Sequence, residues 1–234
     1  MKVYAIVPAR SGSKGFKNKN VQQINGSPLI AYSIRFAQAL GCDRVICSTD
    51  SEVYRDIAEI HGAEVPFLRS DFAARDTAME QDVLKDLYEK FIQYQIEVPD
   101  IIVWLRPTFV FRDLELIQQG IQTLIQHPEY SSVRTICETE SRLYRLEDGK
   151  LIPTFDDQNK SMIRRQDVGS RYKVYSTDIF RFNKENLGDD FLGRNVLGLV
   201  TDKICGLDID DESDFNIVKC LVESGLEDVK KYLF

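Results

Sequence analysis

Val3-Tyr4-Ala5-Ile6-Val7-Pro8-Ala9-Arg10-Ser11-Gly12-Ser13-Lys14-Gly15-Phe16-Lys17-Asn18-Lys19-Asn20 is the stretch on which the fold turns. Val3 to Val7 is a short continuous apolar run, the pattern of a buried strand. A polar loop rich in glycine and lysine follows from Ala9 to Asn20. Pro28 then opens a helical pattern with Leu29, Ile30, Ile34, Phe36 and Ala37, which closes near Gly41. Strand, loop, helix is one unit of an α/β alternation, and the chain repeats it. Arg44 to Cys47 reads as a second strand, closed by Ser48, Thr49 and Asp50. Ser51 caps the next helix, which stops at Gly62. Glu64 to Phe67 reads as a third strand, Ala78 to Tyr94 as a long amphipathic helix and Ile101 to Leu105 as a fourth strand. Asp113 caps a helix reaching Gln126.

This order predicts an α/β fold: a doubly wound, mostly parallel sheet with helices on both faces. Ligands of such sheets sit at the carboxyl ends of the strands, so the loops at Ala9, Ser48 and Arg106 should converge. After Val133 the pattern changes. The segments from Thr135 to Phe182 are short, charged and strand-like, with a turn at Asp148-Gly149, and they hold Arg142, Arg145, Arg164, Arg165, Arg171 and Lys173. Residues 1–234 read as one domain carrying a small β-rich insert at Glu138 to Phe180. That insert is too short for its own core, since below ~40 residues independent stability needs a partner or a staple. Leu143, Leu146, Ile152, Phe155 and Ile163 need something to bury against, and a two-fold partner is the commonest solution. Sheet-like runs return at Val196 to Val200 and Ile204 to Leu207, and a last helix begins near Asp211.

The 234 residues carry a net charge of −7, which argues against nucleic acid as a partner, because phosphate contacts along a duplex need a basic surface. A local basic loop still suits a nucleotide. The opening apolar run is too short for a signal peptide, and nothing approaches the ~20 apolar residues of a membrane span. Cys42, Cys47, Cys137, Cys205 and Cys220 are odd in number and lack CxxC spacing, as expected of reduced thiols in a cytoplasmic protein. His61 and His127 are the only histidines, which leaves zinc chemistry and histidine triads little to work with.

Three constellations carry chemistry. In the first loop, small residues let backbone N–H groups form an anion nest, and Arg10, Lys14 and Lys19 add charge suited to a triphosphate. Walker A and GxGxxG spacings are both absent. The alternative is a solvated basic loop. In Leu207-Asp208-Ile209-Asp210-Asp211-Glu212, Asp208 and Asp210 alternate as on a strand, so both face one side and repel unless a cation lies between them. Mg²⁺ with substrate phosphates prefers one or two carboxylates. The alternative is an acid that caps the final helix, which does not account for Asp208. In Trp104-Leu105-Arg106-Pro107-Thr108, with Arg112 close behind, a cation ends a buried strand where ligands gather. The alternative is an arginine paired with a carboxylate such as Asp50.

Taken together, PARSGSKGFKNKN, WLRPTFVFRD, RRQDVGSRY and LDIDDESDF resemble the motifs of the acylneuraminate cytidylyltransferases, the enzymes that make CMP-sialic acid and its relatives. The resemblance runs nearly end to end. It implies a Rossmann-like nucleotidyltransferase fold with a dimerisation arm and transfer of CMP from CTP to a 2-keto sugar acid. Arg10, Ser11, Gly12, Ser13, Lys19 and Asn20 would serve the nucleotide phosphates and ribose, and Arg69 the pyrimidine ring. Arg10, Lys14, Lys19 and Arg165 would act on the triphosphate, Arg165 from the arm. Arg106 and Lys173 would meet the acceptor, and Asp208 and Asp210 would hold Mg²⁺. Two stretches depart from the family. Where relatives often read Tyr-Arg-x-Asn-Gly, this chain has Tyr172-Lys173-Val174-Tyr175-Ser176, and Phe109-Val110-Phe111 replaces the usual Ser-Pro-Leu. The changed arm points to a variant nonulosonic acid, of legionaminic or pseudaminic type, at least as readily as N-acetylneuraminic acid. Kdo or another sugar acid as acceptor, and a nucleotide-binding regulatory homologue, are the alternatives.

Overall fold

A computed structural model describes the chain from Met1 to Phe234 apart from Ser13, Lys14, Ser161, Tyr175 and Asp189. The first half follows the predicted alternation. Strand β1 (Val3–Pro8) leads through the loop and a small hairpin, β2 (Gln23–Ile24) and β3 (Ser27–Pro28), into helix α1 (Leu29–Leu40). Strand β4 (Arg44–Ser48) follows, then α2 (Glu52–Ile60), whose first turn is capped by Ser51 Oγ accepting the Tyr54 N–H. A short α3 (Asp71–Ala74) precedes α4 (Glu80–Gln93), β5 (Ile101–Leu105) and α5 (Leu114–Gln126), which Asp113 caps as the sequence predicts.

The second half supplies β6 (Ser132–Thr139), the hairpin β7 (Tyr144–Glu147) and β8 (Lys150–Pro153), β9 (Arg171–Lys173), β10 (Thr177–Arg181), β11 (Val196–Val200), α6 (Glu212–Glu223) and α7 (Glu227–Lys230). The main sheet runs β11-β6-β10-β5-β1-β4, with β9 paired to the far end of β6. β10 alone on that path runs antiparallel to its neighbours. The other five share one direction, so the ends of β1, β4, β5, β6 and β11 deliver their loops to one edge.

The period-2 alternation of the strands builds a core on each face. Val3, Ala5, Val7, Val45, Cys47, Ile101, Val103 and Leu105 pack with Ile30, Ile34, Ala58, Ile117 and Leu124 of α1, α2 and α5. Tyr4, Ile6, Ile46, Ile102 and Trp104 point the other way, onto Leu84, Leu87 and Phe91 of α4. A third cluster joins Val110, Phe111, Cys205 and Ile209 to Phe215, Val218 and Tyr232. Phe109, Val110 and Phe111 are all buried, so the unusual apolar tripeptide is core that ties the end of β5 to the C-terminal helices.

Three sequence expectations are corrected. Glu64 to Phe67 contributes a single bridge, Ile46 to Glu64, because one edge contact on β4 does not sustain a ladder. Ile204 to Leu207 is mostly a 3₁₀ turn over Lys203–Gly206, opened by Asp202 accepting the Ile204 N–H, so Asp208 and Asp210 lie on an extended stretch outside any strand. The insert is also narrower than Glu138 to Phe180. β6 keeps Glu138 and Thr139 within a ladder, and β10 lies between β5 and β6, with Ile179 and Phe180 buried. What leaves the sheet is the β7–β8 hairpin and its flanks, turned at Asp148 and Gly149, both at positive φ. No helix among the described residues is long and apolar enough to cross a membrane.

Candidate active site

The predicted loops do converge. A cleft of about 450 Å³ at the carboxyl edge is lined by Pro8, Arg10, Gly15, Lys19, Asn20 and Arg69, with Glu80, Trp104 and Asp210 also on its walls. The first loop is fastened to β4. Ala9 N–H donates to Ser48 O at 2.9 Å, and Ser11 donates to Asp50 from its backbone N–H and from Oγ, each at 2.7 Å. Asp50 therefore anchors the loop rather than pairing with Arg106. Gly12 sits at φ 74°, a conformation that costs a side-chain-bearing residue energy. Arg10 reaches across the cleft mouth to Asp76, at 2.7 Å. Asn20 is buried and donates to Arg10 O at 3.1 Å, so it shapes the loop from beneath while lining the cleft. Ser13 and Lys14 lie outside the described residues.

Arg69 stacks its hydrogen bonds on the end of β4. Nε donates to Ser48 Oγ at 2.8 Å and Nη2 to Ser48 O at 2.9 Å. Burial lowers its pKa to about 10, with Arg10 adding repulsion and nearby Asp50 and Asp86 opposing the shift. The guanidinium remains a cation near neutral pH.

The acidic segment faces this loop. Lys19 Nζ donates to Ile209 O at 2.7 Å and lies 3.7 Å from Asp210 Oδ1. Ile209 N–H donates to Thr108 O at 3.2 Å, so the residue between the two aspartates is held from both sides of its backbone. A Cβ at Gly15 would stand 2.9 Å from Asp210 O, which requires glycine where the loop meets this segment. Asp208 is half-buried, and its Oδ1 is a buried atom without a hydrogen-bond partner. Desolvation raises its pKa; the Thr108 side chain opposes the rise and Asp210 adds to it. Asp211 takes the capping role, accepting the Asp214 N–H at 3.0 Å. Helix capping thus accounts for Asp211 and leaves Asp208 with an orphaned oxygen, the donor a hard cation takes. Among the described residues no cluster of three or more His, Cys, Asp or Glu side chains is gathered for a metal, so substrate oxygens would have to complete a magnesium site.

Arg106 is committed to carboxylates that sequence reasoning missed. Its Nε and Nη2 donate to Glu80 Oε1 and Oε2, both at 2.8 Å, and Nη2 also reaches Asp178 Oδ2 at 3.0 Å. Trp104 Nε1 donates to Glu80 at 3.0 Å, and Arg134 Nε to Asp178 Oδ1 at 2.6 Å. Asp178 is wholly buried between two arginines. A signal was available: an aspartate inside the strand-like run Thr177-Asp178-Ile179-Phe180 demands a buried cation. Glu80, in the first turn of α4, reads from sequence only as a helix-dipole acid.

Lys173 stands apart from that network. Its Nζ donates to Gly206 O at 3.3 Å and lies 5.8 Å from the Phe109 ring centroid, beside the segment that carries Asp208. Tyr175 lies outside the described residues. Arg165 is not in the cleft. Within its own chain it pairs with Glu138 at 3.0 Å and donates to Thr139 O at 3.3 Å, lining a separate hollow with Gln166, Gly169 and Ser170.

The cytidylyltransferase family profile matches residues 4–185. The chain is similar to the N-acylneuraminate cytidylyltransferase of Escherichia coli O18:K1:H7 (strain RS218), with 33% identity over 221 residues, covering 92% of this chain and 51% of that protein. It therefore spans about half the length of that relative. It is also similar to the pseudaminic acid cytidylyltransferase of Campylobacter jejuni serotype O:2, with 30% identity over 230 residues, 94% of this chain and 96% of the relative. In fold it resembles a CMP:2-keto-3-deoxy-manno-octonic acid synthetase solved with CTP, at a TM-score of 0.68 and 14% identity, covering 97% of this chain and 100% of the other.

Proposed function

The chain belongs to the cytidylyltransferase family, and on that premise we propose that it transfers CMP from CTP to the anomeric hydroxyl of a nonulosonic-type 2-keto sugar acid, releasing pyrophosphate. The observation that carries this is the meeting, at one sheet edge, of a cationic loop and an acidic segment with an orphaned carboxylate oxygen. Arg10, Lys19 and the backbone near Gly12 and Gly15 bind the phosphates and neutralise charge on the leaving pyrophosphate. Arg69 uses Nε and Nη2 on Ser48, so Nη1 is the group turned to the pyrimidine. It suits the O2 carbonyl, and backbone groups near Ala9 read the exocyclic amine. Asp208 and Asp210 are the residues that would hold Mg²⁺, whose chemistry there is to screen the phosphates and acidify the attacking hydroxyl.

On the acceptor side, Arg106 is committed through Nε and Nη2 to Glu80 and Asp178, so Lys173 is the cation best disposed to receive the sugar's carboxylate. Nonulosonic acids of the pseudaminic or legionaminic type are the acceptors we propose, on the altered arm and the similarity to the pseudaminic acid enzyme. The arm exposes Leu143, Tyr144, Leu146, Leu151 and Met162, an apolar surface that suits the same arm of a second copy in a homodimer. Arg165 would then serve the partner's phosphates, because its own chain holds it outside the cleft. Free thiols at all five cysteines accord with a cytoplasmic enzyme.

The test is pyrophosphate release from CTP with a panel of nine-carbon 2-keto acids and Kdo, repeated with Asp208→Asn. CTP-dependent release that the substitution abolishes while the circular dichroism stays unchanged is the expected result. Equal release from ATP, GTP and CTP, or full activity in Asp208→Asn, overturns the proposal.

A further inference from the structure

Arg112 is the largest side chain in the molecule with under 2% exposure, and it is charged. Its Nη2 donates to Arg106 O at 2.7 Å. Nε and Nη1 have no hydrogen-bond partner, and among the described residues no carboxylate lies within ion-pair reach. Burial draws its pKa down to about 9, and the like charge of Arg106 pulls the same way. The Phe36 ring, 5.5 Å from the guanidinium carbon, gives only weak compensation. Burying a cation with one acceptor for its five donors is unfavourable for folding. An apolar side chain of the same length would fill the space at lower cost.

What the arginine holds is the turn after β5. Arg106 O accepts from both Arg112 Nη2 and the Phe109 N–H. The same turn presents Thr108 O, which accepts the Ile209 N–H, while Lys19 holds Ile209 O from the opposite side. Ile209 is fully buried and separates Asp208 from Asp210. The position of both carboxylates therefore depends on the 106–109 turn, and the turn is closed by Arg112 from inside the core.

We propose that Arg112 is a positioning residue for the metal-binding aspartates: it fixes the Arg106–Phe109 turn, and through Thr108 it sets where Asp208 and Asp210 stand. This rests on the reading of those two aspartates as the magnesium ligands. It makes Arg112 a residue that function requires and stability does not. Outer partners of metal ligands change affinity or activity by about 10–100-fold when removed.

Arg112→Met and Arg112→Lys test it, each compared with the parent protein. For the methionine variant the expected result is an unchanged or higher Tm, a kcat lowered about 10–100-fold, a KM for CTP within about twofold and a higher half-saturating Mg²⁺ concentration. The lysine variant, which keeps one donor, recovers part of the kcat. A methionine variant with kcat near that of the parent overturns the proposal. So does a fall in Tm with activity lost only in proportion to the unfolded fraction, which is the behaviour of a purely structural residue. Mn²⁺ titrated by calorimetry into protein holding CTP and no acceptor, with the titration of CTP alone subtracted, gives a reading independent of turnover: weaker binding in the methionine variant supports the role, and equal, measurable affinities in both proteins sink it. Should the parent release no pyrophosphate from CTP with any acid, the cytidylyltransferase reading fails, while the Mn²⁺ comparison still decides the role of Arg112.

Discussion

Replacing Asp178 with alanine removes the acceptor that joins two arginines inside the sheet. Asp178 is 0% exposed and accepts from Arg134 Nε at 2.6 Å, Arg134 Nη2 at 3.3 Å and Arg106 Nη2 at 3.0 Å. Breaking a buried pair by deleting one partner costs about 3–5 kcal/mol, because the other charge stays desolvated. The arginine side chains keep 15% and 18% exposure, so some water reaches them, and the lower end of the range, about 3 kcal/mol, applies. For a chain of this size each kcal/mol moves Tm by about 2–4 °C, which sets the expected fall at roughly 6–12 °C. Thermal melts followed by circular dichroism measure it. Arg145→Ala is the control. Its pair with Glu147 spans 3.4 Å with both side chains more than half exposed, and its loss should change stability by less than about 0.5 kcal/mol. A second arm of the experiment is the cycle of Asp178→Ala with Arg134→Ala, where direct contact requires a coupling of about 0.5–3 kcal/mol. A Tm within about 2 °C of the parent, or strict additivity in the cycle, refutes the reasoning.

At Gly206 an added Cβ would stand 2.1 Å from Cys137 Sγ. Gly206→Ala should therefore destabilise by about 1–3 kcal/mol in urea denaturation, and Cys137→Ala in the same chain should restore part of the loss. On the arm, the double substitution Leu146→Glu and Leu151→Glu places charge on an exposed apolar surface; the proposed homodimer predicts by light scattering a dimer for the parent and a monomer for the variant, and an unchanged mass would remove the arm from the interface. Burial pushes the thiols of Cys42, Cys47 and Cys205 up to about 12, leaving about one part in 10,000 as thiolate at pH 8. One thiol, the exposed Cys220, should react rapidly with a disulfide reagent at that pH, and five should react in guanidinium. A second fast thiol in the native protein would contradict the burial.

Much of the fold was legible in the sequence because its determinants are local. Val3 to Val7, Arg44 to Cys47 and Ile101 to Leu105 carry the continuous apolar runs of strands covered on both faces, and all three form. Ser51 and Asp113 cap helices because a side-chain oxygen next to an unpaired N–H needs only its own neighbours to act. The loop from Ala9 to Asn20 and the pair Asp208 and Asp210 could be singled out as candidates from residue type, and a parallel sheet sends its loops to one edge whatever the details.

Tertiary structure alone decided where the charges find their partners. The sequence offers Asp50 for Arg106, but folding gives Asp50 to Ser11 and gives Arg106 to Glu80 and Asp178, residues 26 and 72 positions away. Such pairings depend on strand order, and the placement of β10 between β5 and β6 is not encoded in any short pattern. For the same reason a charged strand reading as part of an arm lies between β5 and β6 in the sheet, and Arg106, reading as a cation for the acceptor, is held by Glu80 and Asp178. Periodicity reports which side chains are covered. Which element covers them, and therefore which charge meets which, is a property of the assembled sheet.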